Sequence, residues 1–326
     1  MNGAVDVVII GAGAAGLFCA AQATERGCRV VLLDHARRIA EKIRISGGGR
    51  CNFTNRGTGP ANFVSQNPAF CRSALARYTA ADFIALVQRH RIPFHEKHKG
   101  QLFCDESSEA LIGLLLRECE QHGVERRQPC TVQAVRALAP ATPGHDGAAP
   151  ARFALDTDAG PLAARRLVVA TGGLSIPQIG ASDFGLRLAR QFGHRIVEPR
   201  PALVPMVFDA LEWAPYAALA GVALPVHIAA GAGRETGHFD EDLLFTHRGL
   251  SGPAVLQAST YWRPGQPLAI DLAPGSALAP TLQAAKATSR RQLGNELAEH
   301  LPARLAELWL ARAGLDARRP MAEQRD

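Results

Sequence analysis

No two cysteines in the chain are spaced C-x-x-C, which leaves zinc ribbons without ligands and thioredoxin-type redox pairs without a partner. The seven cysteines present, Cys19, Cys28, Cys51, Cys71, Cys104, Cys119 and Cys130, are scattered and odd in number. That usage suits a reducing compartment. No stretch of about 18 apolar residues runs without a charge, so no membrane span is expected. The start, MNGAVDVVII, lacks a basic n-region and an apolar core ending in a cleavage site. No secretory signal is expected, and the expected location is cytoplasmic. Internal repeats and long low-complexity tracts are also missing. Apolar residues make up 47% and charged residues 20%, which excludes a disordered chain. The formal charge of +6 over 326 residues permits an anionic ligand or nucleic acid but demands neither.

The length predicts about two domains. Residues 5–34 read as one βαβ unit. A buried strand (Val5–Ile10) leads into Gly11-Ala12-Gly13-Ala14-Ala15-Gly16, then a helix to Arg26, a glycine at a C-cap position, and a second strand ending at Asp34. Residues 42–60 are too glycine-rich for a helix and too polar for a core strand, so a loop is expected. Helical patterns return at 68–91 and 107–122, and strands at 130–137 and 152–156. Pro140–Pro150 reads as a surface loop. Leu167–Ala170 predicts a buried strand delivered into a Gly-Gly turn, followed by a helix over 182–192. Prolines and β-type runs then dominate from about 195. From 278 the chain turns helical, with Leu297, Leu301, Leu305 and Leu308 on one face.

The G-x-G-x-x-G turn carries chemistry only in its context, and here strand, helix, second strand and acidic end are all in place. Gly11 permits the tight turn, Gly13 clears space for a pyrophosphate, and Gly16 lets helix and strand approach. Ligand phosphates would lie against the helix N-terminus. Asp34, 21 residues after Gly13, is placed to accept from an adenosine ribose hydroxyl, and it would repel a 2′-phosphate. An NAD dehydrogenase would continue with short βα units. The insertion of a loop, helices and a β-meander before Val168-Val169-Ala170-Thr171-Gly172-Gly173 favours FAD over NAD. In Ser46-Gly47-Gly48-Gly49-Arg50-Cys51-Asn52, three glycines let backbone N–H groups face an anion. Arg50 offers a forked cation, and Asn52 a donor and acceptor for a flavin edge or ribose.

The motifs GAGAAG (11–16), SGGGRCNFTN (46–55), GQLFCDES (100–107), VVATGGLSIPQIGASDFG (168–185), LVP (203–205) and LLFTHRGLSGPAVLQ (243–257) occur in that order. Together the chain resembles the BaiN-like (YhiN-type) NAD(P)/FAD-dependent flavoproteins of bacteria. The resemblance implies an α/β fold: a Rossmann-like FAD-binding domain with a β-barrel-like insertion domain and a partial helical subdomain. The corresponding boundaries are 1–194, 195–277 and 278–326. It implies that Gly11, Gly13, Ala14, Ala15 and Gly16 hold the pyrophosphate and Asp34 the adenosine ribose. Lys42, Gly48, Gly49, Arg50, Cys51 and Asn52 would line the cofactor cleft. Val132 would present its backbone to the adenine, and Ala170, Thr171 and Gly172 would close the cleft. Family members end with a G-G-V-D-type stretch, a strand and turn, and a glycine-rich helix start near the flavin. This sequence carries none of these before its last residue, Asp326. A truncated helical subdomain is therefore expected, and with it weak flavin binding or none.

The expected activity is that of an FAD-dependent oxidoreductase. Hydride would pass from NAD(P)H, a transient donor, through the flavin to an organic acceptor. No acid or base is assigned. Arg50, Asn52 and His247 are the candidates beside the reacting ring. No metal is expected: His90, His95 and His98 with Glu96 read as solvated surface, and Cys51 as a packing residue. The expected partner is a small-molecule substrate, with neither nucleic acid nor a membrane. Two other readings stand beside this one. A flavoprotein that modifies RNA would fit the +6 charge and a pI near 9.2. A non-catalytic or inactive FAD-binding fragment would fit the absent final segment.

Overall fold

The computed structural model describes residues 5–139, 149–233 and 236–323. The loop expected at 140–150 lies outside the described residues except for its last two positions. The chain divides into two units, Met1–Val197 and Glu198–Asp326.

The first unit runs β1 (Val5–Ile10), α1 (Ala14–Glu25), β2 (Val30–Leu33), α2 (Glu41–Ile45), β3 (Asn52–Asn55), α3 (Arg72–Arg77), α4 (Ala80–Arg89), β4 (Phe94–Glu96), β5 (Gln101–Cys104), α5 (Glu109–Gln121), β6 (Glu125–Arg127), β7 (Val132–Ala137), β8 (Phe153–Thr157), β9 (Leu162–Val169) and α6 (Phe184–Gln191). Every residue of β1 except Asp6 is buried, as expected of a central strand covered on both faces. The main sheet has the order β6-β2-β1-β9-β8-β7. Its first four strands are parallel, with Val8 aligned on Val31 and Leu167. The last two form an antiparallel meander. Helices α1 and α5 cover one face with a shared core that includes Ile9, Leu17, Leu32, Leu111, Leu114 and Cys119. Leu188 of α6 packs with Val8, Val31 and Leu155 on the other. This is a Rossmann-like α/β fold.

Two local expectations change. The segment expected as loop at 42–60 contains a strand, because Asn52–Asn55 pairs antiparallel with β5 in a three-stranded sheet ordered β3-β5-β4. The helical pattern at 68–91 splits in two. The Thr79 hydroxyl accepts from Asp82 N (3.2 Å) while the Asp82 carboxylate accepts from Thr79 N (2.7 Å), a capping box that starts a new helix.

The second unit continues with β10 (Met206–Val207), α7 (Ala210–Trp213), β11 (Ala223–Ala230), β12 (Gly237–Thr246), β13 (Gly249–Ser251), α8 (Pro253–Ala258), β14 (Ala269–Asp271), α9 (Leu278–Thr288), α10 (Leu293–Leu297) and α11 (Ala303–Arg312). Its five strands are antiparallel in the order β10-β13-β12-β11-β14. Along β11 the residues Leu224, Val226, Ile228 and Ala230 are buried and alternate with more exposed ones, the period of a sheet with one covered face. That face shares a single core with the helices: Leu243 and Val255 pack with Leu297, Leu301, Leu305 and Leu310. Of the expected leucine stripe, Leu297, Leu301 and Leu305 are buried, whereas Leu308 is only partly so and Leu310 takes its place in the core; the stripe is also divided at Pro302, the N-cap of α11. Among the described residues no helix is long and apolar enough to cross a membrane.

Candidate functional site

The carboxyl ends of β1, β2, β6 and β9 converge. Gly11 N donates to Leu33 O (2.7 Å), Ala170 N to Ile10 O (2.8 Å), and Asp34 N to Arg127 O (3.2 Å). The chain leaves β1 for β2 on one side and returns through β9 on the other, which is the switch point where open α/β sheets bind ligands. A cleft of about 1020 Å³ lies there, at the upper end of the roughly 300–1,000 Å³ common for small-molecule sites.

The glycines at its floor do different work. A Cβ on Gly16 would stand 1.7 Å from Gly11 O, and one on Gly11, at φ +105°, would meet Ala170 O at 2.5 Å. Neither position tolerates a side chain. Gly13 is the opposite case. It is the N-cap of α1 with extended φ −82° and ψ −169°, a backbone any residue adopts, and a Cβ there would meet nothing within 4 Å. Ser, Thr, Asp or Asn is the favoured residue at such a cap. Here the side-chain cap is missing and the first turn of α1 has no acidic residue. The free N–H groups and positive end of a 12-residue helix therefore open into the cleft, the arrangement that binds phosphate.

Asp34 sits at the end of β2 with its side chain 12% exposed. Its Oδ2 accepts from Ala12 N (2.6 Å) and its Oδ1 from Ala36 N (2.8 Å). The carboxylate thus pins the glycine turn as well as facing the cleft. The triple-glycine segment forms a tight turn after α2, and a Cβ on Gly47, at φ +57°, would meet Asn52 N and the Phe103 ring at 2.8 Å. The turn is tied down from behind: Cys104 N donates to Arg50 O (3.0 Å) and Ser108 N to Gly49 O (2.7 Å). The Ser108 hydroxyl, in a residue only 2% exposed, donates to Arg44 O (2.8 Å).

Of the residues singled out in the sequence, Gly11, Gly13, Ala14, Ala15, Asp34, Lys42, Cys51, Asn52, Val132, Ala170, Thr171 and Gly172 line this one cleft. Gly16, Gly48, Gly49 and Arg50 do not line it. Gly16 serves packing, and Arg50 is exposed. His247 belongs to the second unit, between β12 and β13. Lys42 donates from Nζ to Ser175 Oγ, joining α2 to the strip after β9. With its amide turned so that nitrogen faces the acceptors around it, Asn52 donates to Thr54 O (3.1 Å) and Leu102 O (3.2 Å). Burial pushes the Cys51 thiol above its ordinary pKa, partly offset by a hydrogen bond with Ser46, which suits a packing residue better than a nucleophile. Phe53, Phe83, Leu111 and Leu115 add an apolar wall that was not assigned to the cleft from the sequence, and Ser108 likewise was not. The histidines expected on the solvated surface are partly engaged: His90 Nε2 contacts Glu118 Oε1 (2.6 Å) with 14% exposure, and His95 Nδ1 contacts Asp105 Oδ1 (2.7 Å).

The cleft fits the adenine dinucleotide end of FAD on two structural grounds. The uncapped helix and open Gly13 leave a cradle for a diphosphate, and the Thr171 hydroxyl, on the cleft wall, is buried with no hydrogen-bond partner among the described residues. Buried polar atoms are rarely left unpaired without a cause.

Residues 5–298 match the family described as the HI0933-like protein Rossmann domain. The chain is 47% identical over 303 residues to a ribosomal RNA dihydrouridine synthase of Escherichia coli (strain K12), covering 93% of this chain and 72% of the relative. It is 44% identical to a ribosomal RNA dihydrouridine synthase of Haemophilus influenzae, covering 93% and 73%. It is 29% identical to a 3-dehydro-bile acid delta(4,6)-reductase of Clostridium scindens, covering 78% and 59%. The two nearer names overturn the expectation that nucleic acid plays no part. That expectation treated +6 as a property of the whole chain, whereas the first unit holds 24 Lys and Arg against 16 Asp and Glu, and the second 12 against 14.

Proposed function

The chain belongs to the HI0933-like Rossmann family of FAD-dependent oxidoreductases, and on that premise we propose that it is a reductase whose acceptor is a uridine of ribosomal RNA. The observation that carries this reading is identity of 47% and 44% to two ribosomal RNA dihydrouridine synthases over 93% of the chain. The distant bile-acid relative supports the reaction class. Its name specifies double bonds conjugated to a 3-oxo group, and the C5=C6 bond of uridine is likewise conjugated to a carbonyl. In both acceptors the carbon β to the carbonyl is electron-poor and the α carbon takes a proton.

Bound FAD supplies the two-electron chemistry that no side chain of this protein can provide. In this reading the chain's own residues position and shield. The N-terminus of α1 and the bare Gly13 take the diphosphate. Asp34 keeps the turn in shape through Ala12 N and presents its carboxylate to the ribose. Val132 backs the adenine, and Lys42 with Ser175 closes the side. Phe53 and Phe83 keep that wall dry. NAD(P)H is the proposed electron donor, held only transiently, and Asn52 is the polar candidate on the cleft wall for the reacting ring.

The test is to incubate the purified chain with FAD, NADPH or NADH, and ribosomal RNA, then to digest the RNA and weigh its nucleosides. A uridine two hydrogens heavier is expected. Oxidation of the nicotinamide with a small enone but no heavier uridine would contradict the RNA acceptor. No oxidation with any acceptor would contradict the reductase itself.

A further inference from the structure

Between Cys51 and Leu86 not one residue is buried. Within this stretch α3 buries no residue, and only Phe53 and Phe83 pack against the core of the unit. Both of its ends are nevertheless fixed at the cleft: Phe53 and Phe83 line it, and their rings meet edge-on with centroids 6.0 Å apart. The segment therefore leaves the cleft wall, runs across the surface and comes back to the same wall.

Its composition says what would cover it. From Lys42 to Ala81 there are six Lys and Arg and no Asp or Glu, so this one stretch carries as much net positive charge as the whole chain. Arg72 and Arg77 are exposed and make no ion pair among the described residues. Just before them in the chain are two apolar rings with no ring partner among the described residues: Phe70 is 83% exposed and Phe63 47%. Residues 60–70 are all exposed. A protein partner would be matched by acidic groups on an apolar face. Two bare aromatic rings set between Arg56 and Arg72, in a stretch with no carboxylate from Lys42 to Ala81, match a flexible polyanion with stackable faces.

We propose that residues 54–81 are a docking strip for single-stranded RNA, with Arg72 and Arg77 on phosphates and Phe63 and Phe70 stacked on bases, so that an unpaired nucleotide is held beside the cleft. This rests on the reading of the acceptor as RNA and adds the surface that grips it and the strandedness it selects. A base must be out of its duplex for its C5=C6 bond to reach a reacting ring, so a strip that favours single strands serves the same site.

The experiment measures fluorescence anisotropy of a labelled single-stranded oligoribonucleotide, and of a hairpin of the same composition, across a salt series with the full chain. The variants are F63A/F70A and R72Q/R77Q. All four side chains lie outside the core, and unchanged melting curves and FAD titrations establish that each variant is folded. F63A/F70A is expected to weaken single-strand binding by about tenfold or more, from loss of base stacking, with the salt slope and the hairpin affinity unchanged. R72Q/R77Q is expected to weaken binding to both RNAs and to lower the salt slope by about 0.7 per arginine. Parent-like RNA affinity in both variants would overturn the strip while leaving the RNA acceptor standing. So would F63A/F70A binding RNA normally but dissociating a dimer, because the strip would then be a protein interface. If the parent chain binds neither RNA at low salt, the strip and the RNA acceptor fall together.

Discussion

The two units answer the same steric demand with opposite consequences. Gly16 in the first and Gly249 in the second are both forced by close backbone: an added Cβ would lie 1.7 Å from Gly11 O in one and 2.0 Å from Met206 O in the other. In the second unit the approach seats the edge strand β10 antiparallel on β13. In the first it presses a helix onto a parallel strand whose end is free, and the helix N-terminus faces a cleft. The helix caps repeat the contrast. Asp209 caps α7 with its own carboxylate, accepting from Leu211 N (2.8 Å) and Glu212 N (3.4 Å), whereas α1 has no side-chain cap at Gly13. Most helices of the chain, α1 among them, lack a side-chain cap; what sets α1 apart is that its uncapped N-terminus opens into the cleft.

The reporters separate as cleanly as the glycines. All three tryptophans, Trp213, Trp262 and Trp309, lie in the second unit, and all seven cysteines in the first. Substitution of the crowded glycines gives the largest effect. Gly16→Ala and Gly249→Ala should each cost more than about 3 kcal/mol, the range of severe overpacking. Gly16→Ala should expose the buried Cys104 and Cys119 to alkylation, measured by mass, with little change in the tryptophan melting curve. Gly249→Ala should do the reverse. If either substitution moves both signals equally, the two cores do not melt separately and the comparison breaks.

Alkali should sharpen it. Burial pushes the Cys104 and Cys119 thiols up to about 11 from the ordinary 9.0. Folding therefore favours the protonated thiols. Their contribution is complete below pH 9 and is lost as pH rises through about 11. Thiol labelling in the first unit should accelerate over that window while tryptophan fluorescence holds steady. Labelling that tracks the tryptophan signal point by point would show instead that the whole chain unfolds together. The smallest effect is at the second unit's cap. Asp209→Ala should lower stability by about 1 kcal/mol, read from the denaturant midpoint of Trp213 fluorescence. An unchanged midpoint would remove the cap contrast.

The βαβ unit was legible because its signals are local: an apolar run, three glycines at fixed spacing and an acid at the end of the next strand. The distinct tasks of Gly11, Gly13 and Gly16 follow from spacing alone, and most of the residues singled out do share one cleft. What escaped the sequence was set by partners far along the chain. Asn52–Asn55 reads as loop until β5, some 45 residues on, supplies its hydrogen bonds. Ser108 braces the triple-glycine turn from α5 with no motif to announce it. Arg50 looked like a phosphate fork, but the reversal of backbone that begins at Gly47 uses its carbonyl and leaves its side chain exposed. The charge was misread for a different reason. A whole-chain sum hides segregation, and the forty residues without a carboxylate were visible only when counted along the sequence.

The most direct test of the cleft is Gly13→Asp followed by FAD titration, monitored by flavin fluorescence. The extended backbone and the open space at Gly13 admit an aspartate, and a carboxylate at a helix N-cap should leave stability equal or slightly raised. The same carboxylate would occupy the place of the diphosphate and repel it. Because the cleft, the uncapped helix and the open Gly13 are all in place, the parent chain is expected to bind FAD saturably at one per chain, in place of the weak binding or none expected from the sequence, and the folded variant to lose that binding by at least about a hundredfold, the cost of a few kcal/mol at an anion site. A Gly13→Asp chain that melts like its parent and still binds FAD as tightly would contradict the assignment of this cleft.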